Sequence, residues 1–149
     1  MVLLDTNIFV IDRFFRRDKR YQVNHQLIAK LPKLEAGFSI FSLFELCGIA
    51  SFNLSPDELR RWSYHFDQIY KVEILEPQGL YTMLAIDWFD QFSGRLFEFF
   101  GRKMTWGDAV LLKTAEDYEV VAIITWNEKH FEGKTSIDLL TPEQYLQVV

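Results

Sequence analysis

Three carboxylates in this chain lie directly beside apolar sequence, at points where a strand is predicted to meet a helix. They are Asp5 in Leu-Leu-Asp-Thr-Asn, Glu45 in Phe-Ser-Leu-Phe-Glu-Leu and Asp108 in Thr-Trp-Gly-Asp-Ala. Like charges close together in a low-dielectric setting repel strongly, so a shared site for them needs a counter-charge. A divalent cation supplies it, and an oxygen-only ligand set suits Mg²⁺ or Mn²⁺ better than zinc. The sequence therefore predicts a fold that gathers three distant segments around a metal.

Apolar runs alternate with amphipathic segments along the whole chain, which predicts a single α/β domain over residues 1–149. We expect a central, mostly parallel sheet of four or five strands flanked by helices. The predicted strands cover residues 2–4, 38–41, 72–75, 120–125 and, at one edge, 137–140. The predicted helices cover residues 6–17, 21–31, a segment from 42, 55–70, 81–92, 106–118 and a segment from 141, while the state of residues 94–101 is left open.

Functional groups in parallel sheets gather at the carboxyl ends of the strands. Asp5 follows the first predicted strand directly, Glu45 follows the second after one helical turn, and Asn127 follows the strand over 120–125. Asp108 begins a helix instead, and the N-terminus of that helix can point into the same cleft. We therefore expect these side chains to converge at one edge of the sheet.

Each acidic residue also has a plain structural explanation. Asp5, Thr6 and Asn7 are all good helix N-caps. Glu45 stands three residues after Ser42, the spacing of a capping box in which Glu reaches back to the Ser amide. Asp108 can be a favourable acid in the first turn of its helix. Both interpretations remain open from the sequence for each residue taken alone.

Four segments in order resemble one known family. They are Leu3 to Asn7, the Ser-x-x-Glu segment ending at Glu45, Gly107-Asp108-Ala109, and the Thr-Trp-Asn-Glu-Lys-His-Phe run after the strand over 120–125. Together they look like a PIN-domain nuclease, and they span residues 2–131. Small single-domain members of this family are typically the toxin half of VapBC-type toxin–antitoxin pairs.

The resemblance implies a Mg²⁺- or Mn²⁺-dependent endoribonuclease that forms a homodimer and is held inactive by an antitoxin protein. It assigns metal binding and catalysis to Asp5, Glu45 and Asp108, and catalysis also to Asn127, with Thr6, Asn7 and Thr125 as accessory residues. Many family members carry an acid where this chain has Asn127, so the fourth ligand here is neutral. In such enzymes, metal-bound water attacks the phosphate, and no Ser, Cys or His nucleophile is required. His25 and His130 are accordingly left outside the predicted site.

Composition narrows the class of protein. The net charge of −5 argues against a generally basic nucleic-acid binder, although Arg13, Arg16, Arg17, Lys19 and Arg20 form a local basic cluster. A single cysteine excludes an intrachain disulfide, and no apolar run is long enough to span a membrane, so we expect a cytoplasmic protein. The aromatic surplus has two explanations that the sequence leaves open, surfaces that face protein partners and an aromatic-rich core. The residues concerned are chiefly Phe52, Trp62, Phe66, Trp88, Phe92, Phe97, Phe99 and Phe100.

Other functions compete with this prediction. A phosphotransferase of the haloacid-dehalogenase type also has an aspartate after its first strand, but it needs a second acid where this chain has Asn7. A receiver domain is disfavoured because no phosphate-facing lysine follows a late strand. A PIN-like scaffold that binds RNA or a protein without cleaving, and a structure-specific DNA nuclease, both remain as alternatives.

Overall fold

A computed structural model describes all 149 residues. Five strands form one parallel sheet: β1 (Val2–Leu4), β2 (Ala36–Ser39), β3 (Glu73–Leu75), β4 (Ala122–Ile124) and β5 (Asp138–Leu140). The strand order is β3-β2-β1-β4-β5, so the first strand lies in the centre of the sheet. The predicted α/β architecture is confirmed.

Eight α-helices surround this sheet: α1 (Thr6–Phe14), α2 (Tyr21–Lys30), α3 (Ile40–Ala50), α4 (Pro56–Tyr64), α5 (Phe66–Tyr70), α6 (Ala85–Gly101), α7 (Trp106–Asp117) and α8 (Pro142–Leu146). Single 3₁₀ turns cover Leu31–Lys33 and Glu128–His130. None of the helices combines the length and the apolar character that a membrane crossing requires.

The three central strands, β1, β2 and β4, are buried on both faces, as in a parallel sheet covered by helices. Val2 and Leu4 pack into a core formed with α1 to α5 and α8. Leu3, between them, packs on the other face against α6 and α7. Ile123 and Ile124 alternate in the same way along β4. The result is a three-layer arrangement in which β1 is enclosed on both faces.

The second strand and the helix after it begin earlier than predicted. The strand covers Ala36–Ser39 instead of 38–41, and α3 starts at Ile40 instead of Ser42. Ser39 is the N-cap, and its hydroxyl accepts a hydrogen bond from the Phe41 amide. A Cβ at Gly37 would lie 2.5 Å from the Leu75 side chain. A glycine therefore suits this strand position.

Helix boundaries differ from the predictions in three further places. The first helix ends at Phe14 because residues 15–20 form turns, and the predicted helix over 55–70 divides at His65 into α4 and α5. The long amphipathic helix begins at Ala85, after an extended Leu84, so Tyr81 is not part of it. It continues through Gly94 to Gly101, because its buried Phe92, Leu96 and Phe99 outweigh the cost of about 1 kcal/mol for a helical glycine.

The prediction of exposed aromatic side chains is correct for only some of the named residues. Phe52 and Phe97 are 90% and 71% exposed. Trp88 and Phe100 are half-buried against the core. The other four are buried and pack in the core: Trp62, Phe66, Phe92 and Phe99. Much of the aromatic surplus is therefore core packing.

Candidate active site

A cleft of about 320 Å³ opens at the carboxyl edge of the sheet, where β1 and β4 end and α3 and α7 begin. It brings together all four residues predicted to be catalytic, which lie far apart in the sequence. The cleft is lined by Asp5, Thr6, Asn7, Val10, Glu45, Ile49, Thr105, Gly107, Asp108, Asn127 and His130.

Asp5 follows the central strand and is held by one residue of α1 and one residue at the end of β4. Its Oδ2 atom accepts hydrogen bonds from Thr125 Oγ1 at 2.6 Å and from Asn7 Nδ2 at 2.5 Å. Asp5 occupies the N-cap position of α1, yet its side chain makes no capping hydrogen bond. The capping explanation of this carboxylate is therefore wrong, and its orientation is set by Asn7 and Thr125.

The electrostatics of Asp5 reflect both burial and its neighbours. Loss of solvation is the main cause that raises the pKa of Asp5 to about 6, and the negative charges of Glu45 and Asp108 raise it further. The hydrogen bond from Thr125 opposes this rise in pKa. Asp5 thus lies within the electrostatic field of both other carboxylates, in a position where a cation would be favourable.

Glu45 does not close a capping box with Ser42. Ser42 is buried inside α3, while the helix is capped by Ser39. The Glu45 carboxylate instead points toward α1, where Thr6 Oγ1 donates to its Oε2 atom at 2.6 Å. Its other oxygen, Oε1, faces the backbone of Gly107 on α7. The interaction with Thr6, across 39 positions of sequence, was not foreseen.

Asp108 lies in the first turn of α7, where a negative charge is favourable. Thr105 is the N-cap of this helix, and its hydroxyl also donates to Asp108 Oδ2 at 2.8 Å. His130 approaches from the 3₁₀ turn after β4, with Nδ1 at 3.3 Å from Oδ2 and 3.4 Å from Oδ1 of Asp108. The prediction that placed His130 outside the acidic set is wrong. Its position five residues after Thr125, in the turn that follows β4, was the only signal.

Asn127 and the accessory residues take different positions around the cleft. The Asn127 backbone amide donates to Thr125 Oγ1 at 2.9 Å, and its exposed side chain lines the cleft. Asn7 Oδ1 accepts from the Trp126 amide at 3.3 Å. Thr125 thus touches Asp5, Asn7 and Asn127, and it fixes the end of β4 against the end of β1.

A buried hydroxyl pair joins the two helices that carry Glu45 and Asp108. Ser39 Oγ lies 2.9 Å from Thr114 Oγ1, and Thr114 donates to the Val110 carbonyl oxygen of its own helix. Both side chains are buried. This contact fixes the start of α3 against the middle of α7, so the spacing of the two acids is set within the core.

The free oxygens of the carboxylates suit a hard divalent cation. Side-chain donors hold Asp5 Oδ2 and Glu45 Oε2, while no side-chain donor bonds Asp5 Oδ1 or Glu45 Oε1. On Asp108, Oδ2 is held by Thr105, and Oδ1 has only the long contact with His130. The structure contains no group of three or more Asp, Glu, His or Cys side chains placed closely enough to hold a metal ion together. Mg²⁺ is commonly held by one or two carboxylates and several waters, and this arrangement fits the donors present.

No protein-family model matches the sequence, and no curated protein matches it. Several solved structures nevertheless share its fold. A chain of a toxin–antitoxin complex from Klebsiella pneumoniae is 19% identical, with 95% of this chain and 98% of that chain covered and a TM-score of 0.60. A chain of VapBC2 from Rickettsia felis, bound to a DNA fragment from their promoter, is 21% identical over 95% and 98%, with a TM-score of 0.61.

A third similar structure is VapC20 from Mycobacterium tuberculosis, a Sarcin-Ricin loop cleaving toxin. It is 12% identical, with 83% of this chain and 87% of that chain covered and a TM-score of 0.59. At these identities the likeness concerns the fold. The PIN-like fold predicted from the sequence is confirmed, because the parallel sheet and its flanking helices match those of these solved chains.

Proposed function

We propose that this protein is a Mg²⁺- or Mn²⁺-dependent endoribonuclease that acts in the cytoplasm as the toxin of a toxin–antitoxin pair. The observation that carries the proposal is the cleft in which Asp5, Glu45 and Asp108 each keep one oxygen fixed by the protein and one without a strong partner. The fold shared with VapC20, a Sarcin-Ricin loop cleaving toxin, supports RNA as the substrate.

The residues of the cleft have separable tasks in this proposal. Asp5 and Asp108, with Glu45 across from them, would hold the cation. When bound, the cation would lower the pKa of a water molecule and neutralise charge on the phosphate during hydrolysis. Thr125 and Asn7 keep Asp5 oriented, and Thr6 keeps Glu45 oriented, as hydrogen-bond partners commonly do for metal ligands.

Titration calorimetry with Mn²⁺ tests the metal requirement without a known substrate. Wild type should bind Mn²⁺, whereas Asp5→Asn and Asp108→Asn should bind it at least about 10-fold more weakly, because each loses a carboxylate charge. The near-isosteric amides preserve packing. Asp87→Asn, at an exposed position on α6, is the matched control and should bind like wild type. Equal affinity in all four proteins would refute the proposed metal site.

RNA cleavage tests the activity itself. Wild type should cleave single-stranded RNA in Mg²⁺ or Mn²⁺, EDTA should abolish cleavage, and Asp5→Asn should lower the rate by about 100-fold or more. Undiminished cleavage by Asp5→Asn would defeat the mechanism. Mn²⁺ binding with cleavage of DNA alone would favour the DNA nuclease, and RNA binding without cleavage would favour a non-cleaving PIN-like module.

Protein partners are part of the proposal. The similar solved structures include a toxin–antitoxin complex and VapBC2, which supports a cognate antitoxin. Apolar side chains on α6 and at the start of α7 enclose a groove of about 220 Å³, and three of them, Phe89, Phe97 and Trp106, are exposed. This groove supports a second copy of the chain as a further partner. The groove is lined by Phe89, Phe92, Ser93, Leu96, Phe97, Phe100 and Trp106. Expression of this chain alone should arrest growth. Co-expression of the adjacent open reading frame, as the expected antitoxin gene, should relieve that arrest.

A further inference from the structure

A second groove, of about 350 Å³, adjoins the acidic cleft. The two share Asn7, Val10 and Asn127 as lining residues, so one opens into the other. The far end of the groove is formed by Phe15, Asp18 and Arg20, from the turns that follow α1. A molecule lying in this groove would therefore extend from the turns after α1 to the edge of the carboxylate cleft.

The charge around the groove contrasts with that of the whole chain. Residues 13–20 contain five cations and one acid, a local net charge of +4 in a protein whose net charge is −5. Arg13, Arg16, Arg17 and Lys19 are exposed, and none of them forms an ion pair. Arg13, Arg16 and Arg17 line a further depression that also includes Phe15 and Asp18. Unpaired cations beside an acidic cleft suit a polyanion whose charges repeat along its length.

Arg20 is held rigidly in the wall of the groove. Its Nε and Nη2 atoms donate to the two oxygens of Asp18 at 2.9 and 2.7 Å, while Nη1 donates to no protein atom. Its guanidinium carbon lies 5.8 Å from the centre of the Trp126 ring. This pairing holds the pKa of Asp18 well below its usual range. The free Nη1 donors are thus presented in a fixed direction, which suits a phosphate oxygen.

Phe15 is the apolar element of this groove. Its side chain is 53% exposed at the end of α1, so the core does not account for it. An exposed aromatic ring among arginines is the combination with which proteins bind single-stranded nucleic acid, since the ring stacks on a base and the cations contact phosphates. A neutral peptide would use the ring equally well, but it would leave the four unpaired cations without counter-charges.

We propose that this groove is a nucleotide-binding subsite for single-stranded RNA, with a base stacked on Phe15 and the flanking phosphates bound by Arg16, Arg17 and Arg20. The choice of RNA rests on the proposed function, whereas the stacking and the phosphate contacts rest on the groove. The strand would then pass Asn7 and Asn127 and enter the cleft at Asp5. The subsite would fix the position of the strand beside the scissile bond.

Fluorescence anisotropy with a labelled single-stranded RNA 12-mer, in EDTA and at low salt, tests this proposal without cleavage. Phe15→Leu keeps an apolar side chain and should bind on the order of 10-fold more weakly, with an unchanged salt dependence. Phe15→Trp keeps an aromatic ring and should bind RNA like wild type. Arg16→Ala combined with Arg17→Ala should weaken binding and reduce the slope of log K against log salt by about 1.4, since each lost phosphate contact contributes about 0.7.

Two matched controls complete the experiment. Phe52→Leu removes an aromatic ring that is 90% exposed, outside the groove. Lys30→Ala with Lys33→Ala removes two cations just before β2, at the opposite edge of the sheet. Both should bind RNA like wild type, and thermal melting should show every variant folded.

Unchanged affinity of Phe15→Leu would overturn the subsite and leave the ring to a protein partner. An equal loss in the lysine control would overturn it too, because binding would then follow net charge alone. No binding by wild type would also overturn it, because none of these contacts requires a metal. Metal binding and cleavage do not enter this experiment, so failure of the proposed nuclease activity would be seen separately.

Discussion

Gly107 lies so close to Glu45 that a Cβ on the glycine would stand 2.8 Å from the Oε1 atom of the carboxylate. The carboxylate is the far end of a flexible side chain, so it can move aside and the fold can accept a methyl group at Gly107. Glu45 would then lose its present position. We expect Gly107→Ala to fold normally and to bind Mn²⁺ about 10-fold more weakly, the usual cost of misplacing a metal ligand. Calorimetry and the RNA cleavage rate measure the effect.

Gly94→Ala is the control for this prediction. Gly94 lies inside α6, and a Cβ there would meet no atom within 4 Å. The variant should gain about 0.5–1 kcal/mol of stability and leave Mn²⁺ binding unchanged. Equal metal affinity in Gly107→Ala and wild type would show that Glu45 does not take part in binding.

The raised pKa of Asp5 predicts a pH-dependent stability of the metal-free protein. The pKa of Asp5 is about 6 in the folded state against an ordinary value of 3.8. Between these values the folded state holds a proton that the unfolded state has lost, so the stabilising contribution is present below pH 4 and is lost as the pH rises through 6. The free energy of unfolding of wild type, relative to Asp5→Asn, should fall by up to about 3 kcal/mol over this range.

Urea denaturation in EDTA at several pH values measures this difference. Saturating Mn²⁺ should remove the fall above pH 6, because the cation stabilises the ionised carboxylate. Parallel pH profiles for wild type and Asp5→Asn in EDTA would contradict the prediction.

Asn127→Asp should retain activity. The side chain is exposed and lines the cleft, so a carboxylate can be accommodated there without rearranging the core. The added negative charge should tighten Mn²⁺ binding several-fold, since more charged ligands bind a divalent cation more strongly. A complete loss of cleavage would mean that the amide N–H is needed, as a donor to the phosphate.

Asn24→Ala should destabilise the protein without changing the carboxylates. The fully buried Asn24 side chain donates to the Ile8 carbonyl oxygen at 2.8 Å and accepts from Trp126 Nε1 at 2.9 Å. Its loss leaves the indole N–H without a partner and opens a small cavity, at a cost of about 2–4 kcal/mol. Urea denaturation measures this cost, and the exposed Asn53→Ala should lose less than about 0.5 kcal/mol.

The exposed face of α6 predicts a homodimer. Phe89 and Phe97 are 58% and 71% exposed on this helix. A standard interface of about 1,600 Å² needs only a few such anchors on each subunit. Light scattering should show a dimer for wild type and a monomer for Phe89→Glu combined with Phe97→Glu. Tyr64→Glu, 78% exposed on α4, should remain dimeric. A wild-type monomer at high micromolar concentration would refute the prediction.

Much of the fold follows from local sequence. The helix start at Ser55, the edge strand near residues 137–140 and the last helix after Thr141 are present as predicted. Each depends on short-range signals, such as a cap followed by proline. The shift of β2 and α3 was not predicted, because Ser39 and Ser42 are both possible N-caps and the structure uses the earlier one.

The candidate site shows the same division. Its residues could be named because they lie at predicted strand ends and helix starts. Their partners could not: Thr6 binds Glu45, and His130 approaches Asp108, through contacts that exist only after the sheet has brought distant segments together. The capping box at Ser42 was a misleading local match, because the Glu45 side chain found a partner on another helix instead.

The central position of β1 has a consequence for synthesis. The N-terminal strand pairs on one side with β2 and on the other with β4, and the Asp5 carboxylate is fixed by Thr125, 120 positions later. While β4 is still inside the ribosome, β1 lacks its partner strand on one side and Asp5 lacks the hydrogen bond from Thr125. Assembly of this cleft depends on a contact of high sequence separation, which forms slowly in folding. The cleft therefore remains incomplete beside the translating ribosome until Thr125 has emerged.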